Sequence, residues 1–203
     1  MKYFDYYAFK LVGICVAVFI LQLSIPSITD DFALVSKDVA ARPWILVTSI
    51  FLHGSFDHLL FNMFALAMFG SILERTIGSR RFLIVFFATG VIASLGSIFF
   101  YNAALGASGA IMGIAGCLAI IRPRMMVWVM GMPMPMIFAA GLWAVIDMAG
   151  MFHPSGIANA AHLAGLFSGI ALGIAWRKRF ALEKSKSVIS ENEIDHWEKE
   201  YMK

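Results

Sequence analysis

Charge is scarce in this chain. Of its 203 residues only 14% are Asp, Glu, Lys or Arg, while 60% are hydrophobic and the mean hydropathy is +0.79. An ordinary soluble domain is about a quarter charged, so the composition argues against a water-soluble globule and for lipid as the solvent. Cysteine is scarcer still. Cys15 and Cys117 both lie inside apolar runs, where they act as small hydrophobes, which argues against a disulfide framework or a Cys metal site. An HExxH zinc-protease motif is missing, no three well-placed metal ligands stand out, and neither metal nor cofactor is expected. A basic stripe is missing too. The net charge is +3 and the pI near 9.0, but the basic residues fall in clusters between apolar segments, a topology signal rather than a nucleic-acid footprint. No internal repeat is evident.

What is present is a series of apolar runs. A helix needs about 20 apolar residues to cross a hydrocarbon core of about 30 Å. Six candidate spans fall at about 8–25, 56–77, 82–101, 108–121, 134–150 and 158–176. The first lacks the small-residue cleavage site of a signal peptide and is expected to be retained. With the N-terminus inside, the inner side collects Lys2, Lys10, Arg75, Arg80, Arg81, Arg122, Arg124 and the basic residues from Arg177 onward, leaving only Lys37 and Arg42 outside. The expected fold is therefore an all-α, polytopic six-helix bundle, residues 1–179, with both termini cytoplasmic and a charged tail at 180–203 carrying Trp197 and Tyr201. Residues 26–55 form one long outer loop, with Pro26 at its start and Trp44 at headgroup level.

Polar side chains inside spans are costly and mark functional sites by default. Here they are His58, Asn62, Asp147 and His162, with Ser108 beside them. His58 and Asn62 are four apart and share a helix face. Ser108 stands 14 residues from Arg122, His162 15 from Arg177 and Asn62 13 from Arg75, which puts each roughly 20 Å above the inner boundary. One layer, open toward the outer face, thus receives a hydroxyl, an imidazole and an amide, with His58 one turn higher. Glycines at spacings of three or four, Gly106, Gly109, Gly113 and Gly116 in the fourth span and Gly165, Gly169 and Gly173 in the sixth, suit close helix approach in lipid.

A serine hydroxyl becomes a nucleophile when a positioned imidazole takes its proton. Ser108 and His162 fit those roles. Asp147 stands only a few residues from the outer end of the fifth span, so a Ser-His dyad without a third member is the expectation. Oxyanion donors would be the Asn62 amide, a His58 N–H and the Ser108 backbone N–H, the last exposed at a helix start. A serine there has a simpler reading as an N-cap.

These residues form Gly106-Ala107-Ser108-Gly109, His53 through His58 to Asn62, and Ala161-His162 with Gly165 and Gly169. Together they resemble the rhomboid intramembrane serine proteases, as do Gly70, Glu74 and Gly78, over roughly residues 8–178. The resemblance implies Ser108 as nucleophile, His162 as general base, His58 and Asn62 as oxyanion-hole side chains and His53 as a supporting loop residue. It also implies single-span transmembrane substrates, cleaved near the outer face in a prokaryotic plasma membrane and admitted beside the fifth span. Met134, Met136, Phe138, Trp143 and Met148 would form the adaptable wall there, and residues 150–157, with His153 and Pro154, a cap. Where relatives have Trp-Arg in the first loop this chain has Trp44-Ile45, with Arg42 nearby. Four residues after the serine, where an aromatic is usual, it has Met112, from which a sulfur contact to the imidazole is expected. The alternatives are a non-catalytic binder of the same fold and a proton or ion transporter. The apolar inner stretches 114–121 and 166–175 disfavour the transporter.

Overall fold

The computed structural model describes residues 5–25, 27–152, 156–186 and 200. Pro26, His153, Pro154, Trp197 and Tyr201 lie outside the described residues.

Nine α-helical segments carry the described residues. Helix α1 (Tyr7–Ser24) is followed by the short α2 (Ser27–Phe32), and α3 (Ile45–Thr48) lies in the outer loop. Helix α4 (Phe56–Ala65) runs through a wide π turn, Leu66–Gly70, into α5 (Ser71–Ile77). Then come α6 (Ser79–Ile98), α7 (Ser108–Ile121), α8 (Met136–Gly150) and α9 (Asn159–Lys186). Among the described residues four stretches are long and apolar enough to cross a membrane: Tyr7–Ser24, Phe56–Ile77, Ser79–Ile98 and Asn159–Arg177. The other two expected spans, α7 and α8, have 14 and 15 residues, or about 21–23 Å of helix, short of the hydrocarbon core.

Most of the described residues are helical, as expected of an all-α chain, and two short strand pairs are added to the helices. Strand β1 (Leu34–Val35) pairs antiparallel with β2 (Ala103–Ala104), tying the outer loop to the segment before Ser108. Strands β3 (Met126–Val129) and β4 (Met132–Pro135) form a hairpin whose two turn residues, Met130 and Gly131, have φ 51° and 78°. Met134, assigned to the fifth span, is therefore extended. Pro133 and Pro135 flank it, and a residue before proline avoids the helical region. The third span begins earlier than expected, directly after the Gly78 break at φ 87°, and ends at Ile98. The chain beyond turns toward β2, with Ser36 N–H donating to Asn102 O at 2.9 Å. The last helix continues unbroken through the expected tail boundary to Lys186.

Helix α7 is the hub. It is apolar all round, as a fully enclosed helix must be, and most of its residues from Gly109 to Ala119 are buried. Its small residues bring the α9 backbone against it: a Cβ on Gly165 would run into the Gly109 carbonyl, and one on Gly169 into the Gly113 carbonyl. Elsewhere in the bundle, Glu74 is 0% exposed and caps the start of α1. Its carboxylate accepts the first α1 N–H groups, Tyr7 and Ala8, each at 3.0 Å, and the Ser79 hydroxyl at 2.6 Å. A carboxylate on unsatisfied N–H groups at a helix start is favoured by both hydrogen bonding and dipole. Gly70 leaves room for Ala8, 3.1 Å from where a Cβ would stand.

Candidate active site

Helix α4 starts on Ser55, whose hydroxyl accepts the His58 N–H at 3.1 Å, an N-cap that sets His58 in the first turn and Asn62 one turn on. The Asn62 side chain is 6% exposed; its amide donates to the His58 carbonyl at 2.7 Å, and its Oδ1 has no partner among the described residues. The Gly54 N–H points at His58 Nδ1 from 3.4 Å. A neutral ring that accepts at Nδ1 carries its proton on Nε2, ready to donate elsewhere.

Behind it, His53 is 1% exposed, its ring edge-on to His58 at 5.1 Å between centroids. Its main chain is held on both sides by one amide: His53 N–H donates to Gln22 Oε1 at 3.0 Å, and Gln22 Nε2 donates to His53 O at 3.3 Å. Burial, and then the nearby His58, pushes the His53 imidazole down to about 4, so it is neutral at pH 7.

The serine arrives through a constrained backbone. Gly106 has φ 121°, outside the range of L side chains, and its N–H donates to Ser49 O at 2.9 Å. A Cβ there would stand 2.7 Å from His58 Cε1 and 2.8 Å from Nε2. Two residues later α7 begins at Ser108. The N-cap is Ala107, without a side-chain cap bond, and the first N–H to bond back along the helix is that of Ile111 to Ala107 O. Ser108 is thus no N-cap. Its Oγ lies 2.8 Å from His162 Nε2 on α9, the close approach that the glycine contacts allow.

The other nitrogen of His162 meets a residue that sequence reasoning set aside. Asp147 on α8, 6% exposed, holds Oδ1 3.0 Å from His162 Nδ1. Both side chains lie near helix ends: His162 is only three residues past the start of α9, as Asp147 is three before the end of α8. The helix ends turn back beside each other and the two side chains meet at one height.

Ser108, His162, His58 and Asn62 line one cavity of about 1060 Å³, together with Ala104 of β2 and Asn159 at the start of α9. Residues 150–152, 156 and 157 of the expected cap also line it. The remaining expected site residues are not among those that line the cavity. Gly109 lies against Ala93 and the Ala161 carbonyl, and Met112 is half-buried against the apolar core. Trp44 is 50% exposed before α3, away from the cavity lining. Ile45 beside it is 0% exposed, and Arg42 anchors the loop by an ion pair to Asp38 at 2.6 Å and hydrogen bonds to Asp30 O and Asp31 O. On the expected substrate wall Phe138 and Met148 are exposed, Met136 is buried, and Trp143 packs edge-on against Phe69 at 5.8 Å. Among the described residues no three His, Cys, Asp or Glu side chains are grouped to hold a metal.

The family model described as the Rhomboid domain matches residues 40–179. The mitochondrial Rhomboid protein 1 of Saccharomyces cerevisiae is 30% identical over 196 residues, 88% of this chain and 55% of that protein. Rhomboid protease GluP of Bacillus subtilis is 37% identical over 140 residues, 64% of this chain and 26% of its own length. Rhomboid protease GlpG of Yersinia pseudotuberculosis is 29% identical over 176 residues, 82% of this chain and 60% of its own. The chain therefore spans between about a quarter and three fifths of these relatives.

Proposed function

Because the chain belongs to the rhomboid family, and is accordingly an integral membrane protein, we propose that it is an intramembrane serine endopeptidase acting through Ser108 and His162. The observation that carries this reading is the 2.8 Å approach of His162 Nε2 to Ser108 Oγ in a cavity lined also by His58 and Asn62. Such a distance lets the imidazole take the hydroxyl proton as Oγ attacks a peptide carbonyl. The proton then passes from His162 to the leaving amine, and a water deprotonated by the same imidazole hydrolyses the acyl-enzyme. The carbonyl oxygen gains negative charge in both steps. The Ser108 backbone N–H at the start of α7, the Nε2–H of His58 and the free proton of the Asn62 amide are donors suited to hold it. Gly106 and Gly109 shape the approach and His53 backs His58.

The substrate we propose is a single-span transmembrane protein cut near the outer face. The distribution of Lys and Arg supports a six-span arrangement of residues 1–179 with both ends cytoplasmic and the charged segment from 180 on the same side; the location we propose is a prokaryotic plasma membrane, as two of the relatives above are bacterial. In that arrangement α7 and α8 are short spans, which leaves the outer part of the bundle open for water and substrate.

The test is cleavage of a model single-span substrate by protein in liposomes. Wild type should cleave it, Ser108→Ala and His162→Ala should not, and a fluorophosphonate should label wild type but not Ser108→Ala. Equal cleavage by all three proteins refutes the serine mechanism.

A further inference from the structure

Asp147 is a buried acid in an apolar helix, and such a group persists only with a partner. Its partner is the ring nitrogen of His162 that faces away from Ser108, at 3.0 Å, while the nitrogen that faces Ser108 lies 2.8 Å from the hydroxyl. The three side chains come from three helices, α7, α8 and α9, in a continuous line from carboxylate to imidazole to hydroxyl.

Neutral imidazole has two tautomers, and only one of them can act as a base toward Ser108. With its proton on Nδ1, the ring donates to Asp147 and leaves the Nε2 lone pair facing the Ser108 hydroxyl. With its proton on Nε2, the lone pair at Nδ1 would face the Asp147 oxygen at 3.0 Å, a repulsive contact between two acceptors. The carboxylate thus selects the base-competent form. It also fixes the ring plane, since a second bond opposite the first removes the rotation that would swing Nε2 away. When the imidazole takes the serine proton, the positive charge it gains lies beside the carboxylate at the same distance, in a site of low dielectric where that attraction is strong.

We propose that Asp147 is the positioning residue of the Ser108 and His162 pair, so that the hydrolytic unit of this chain is a triad and not a dyad. The inference rests on the serine-protease reading above and deepens it. Asp147 reaches no reacting atom itself; it acts through the ring it holds.

Asp147→Asn keeps shape and volume, whereas Asp147→Ala removes the partner altogether. In liposomes the Asn variant should lose about 100-fold or more in kcat with KM unchanged, and fluorophosphonate labelling of Ser108 should slow by a similar factor. Thermal unfolding of Asp147→Asn in detergent identifies a purely structural role. If its unfolding temperature falls while kcat stays at the wild-type value, or if the loss appears in KM alone, the positioning role is wrong. Should Asp147→Ala fail to fold, the Asn variant still decides. The two readings fail separately: cleavage that survives Ser108→Ala refutes the serine mechanism, whereas abolished cleavage in Ser108→Ala with normal kcat in Asp147→Asn refutes only the triad.

Discussion

Gly106→Ala tests whether a backbone position outside the reacting groups controls the proposed oxyanion hole. At φ 121° the alanine would occupy a conformation that L residues rarely adopt, at a cost of about 1–3 kcal/mol in folding stability. The new Cβ would also stand 2.7 and 2.8 Å from the His58 ring, where carbon atoms settle at about 3.5–4.0 Å. Either the ring or the loop must give way by roughly 1 Å, and a shift of that size in a positioned group can cost about 100-fold in rate. Complete loss of one oxyanion donor costs about 100- to 1000-fold. The expected outcome is therefore a fall of about 100-fold in kcat/KM on a single-span substrate in liposomes, with the unfolding midpoint lowered in detergent. Adding His58→Ala to Gly106→Ala should lower the rate little beyond His58→Ala alone, since both changes act on the same donor. Wild-type cleavage and wild-type stability in Gly106→Ala would refute the reasoning.

Three further outcomes are expected. Gly169→Val drives a branched side chain into the Gly113 carbonyl and should prevent α7 and α9 from closing, seen as loss of the folded form in detergent, whereas Gly141→Val, with nothing within 4 Å of its Cβ position, should fold normally. Glu74→Ala leaves the Tyr7 and Ala8 N–H groups and the Ser79 hydroxyl without their acceptor, a loss of about 3 kcal/mol readable in chemical denaturation, with Glu74→Gln recovering part. His53 supplies a pH dependence. Its imidazole titrates at about 4 in the folded chain against 6.5 ordinarily, so between these values the unfolded chain binds more protons. Its contribution is present above pH 6.5 and lost as pH falls toward 4, up to about 3 kcal/mol. His53→Phe should flatten that part of the stability profile, and an unchanged profile in this variant would contradict the assignment.

Helix α4 and its continuation were legible to the residue, because Ser55 and Gly78 punctuate an apolar run with helical spacing and both boundaries are local chemistry. The start of α7 was legible from Gly106, which punctuates the chain just before the apolar run, although its N-cap Ala107 makes no side-chain bond. The third span slipped because apolar residues such as Phe99 and Phe100 continue past the helix; where the chain leaves it is decided by the β1 and β2 pairing, a contact between residues about 70 positions apart. The hairpin at 126–135 escaped because its methionines read as helical wall, although Pro133, Pro135 and Gly131 were signals available to find it. Ser108, His162, His58 and Asn62 stood out as polar groups in apolar spans, and counting residues put three of them at one depth.

By itself, then, the sequence determined the solvent, the apolar helices, the helix starts that carry Ser108 and His58, and the short set of side chains capable of chemistry. These follow from hydropathy, spacing and capping, all properties of neighbouring residues. The tertiary structure decided which of those side chains touch. Whether Asp147 meets His162 depends on how α8 and α9 lean together across a turn, and residue counting fixes height along a helix but not direction around it. The 2.8 Å between Ser108 and His162 has the same origin: glycines in both helices permit it, and only their meeting, carbonyl against absent Cβ, brings it about.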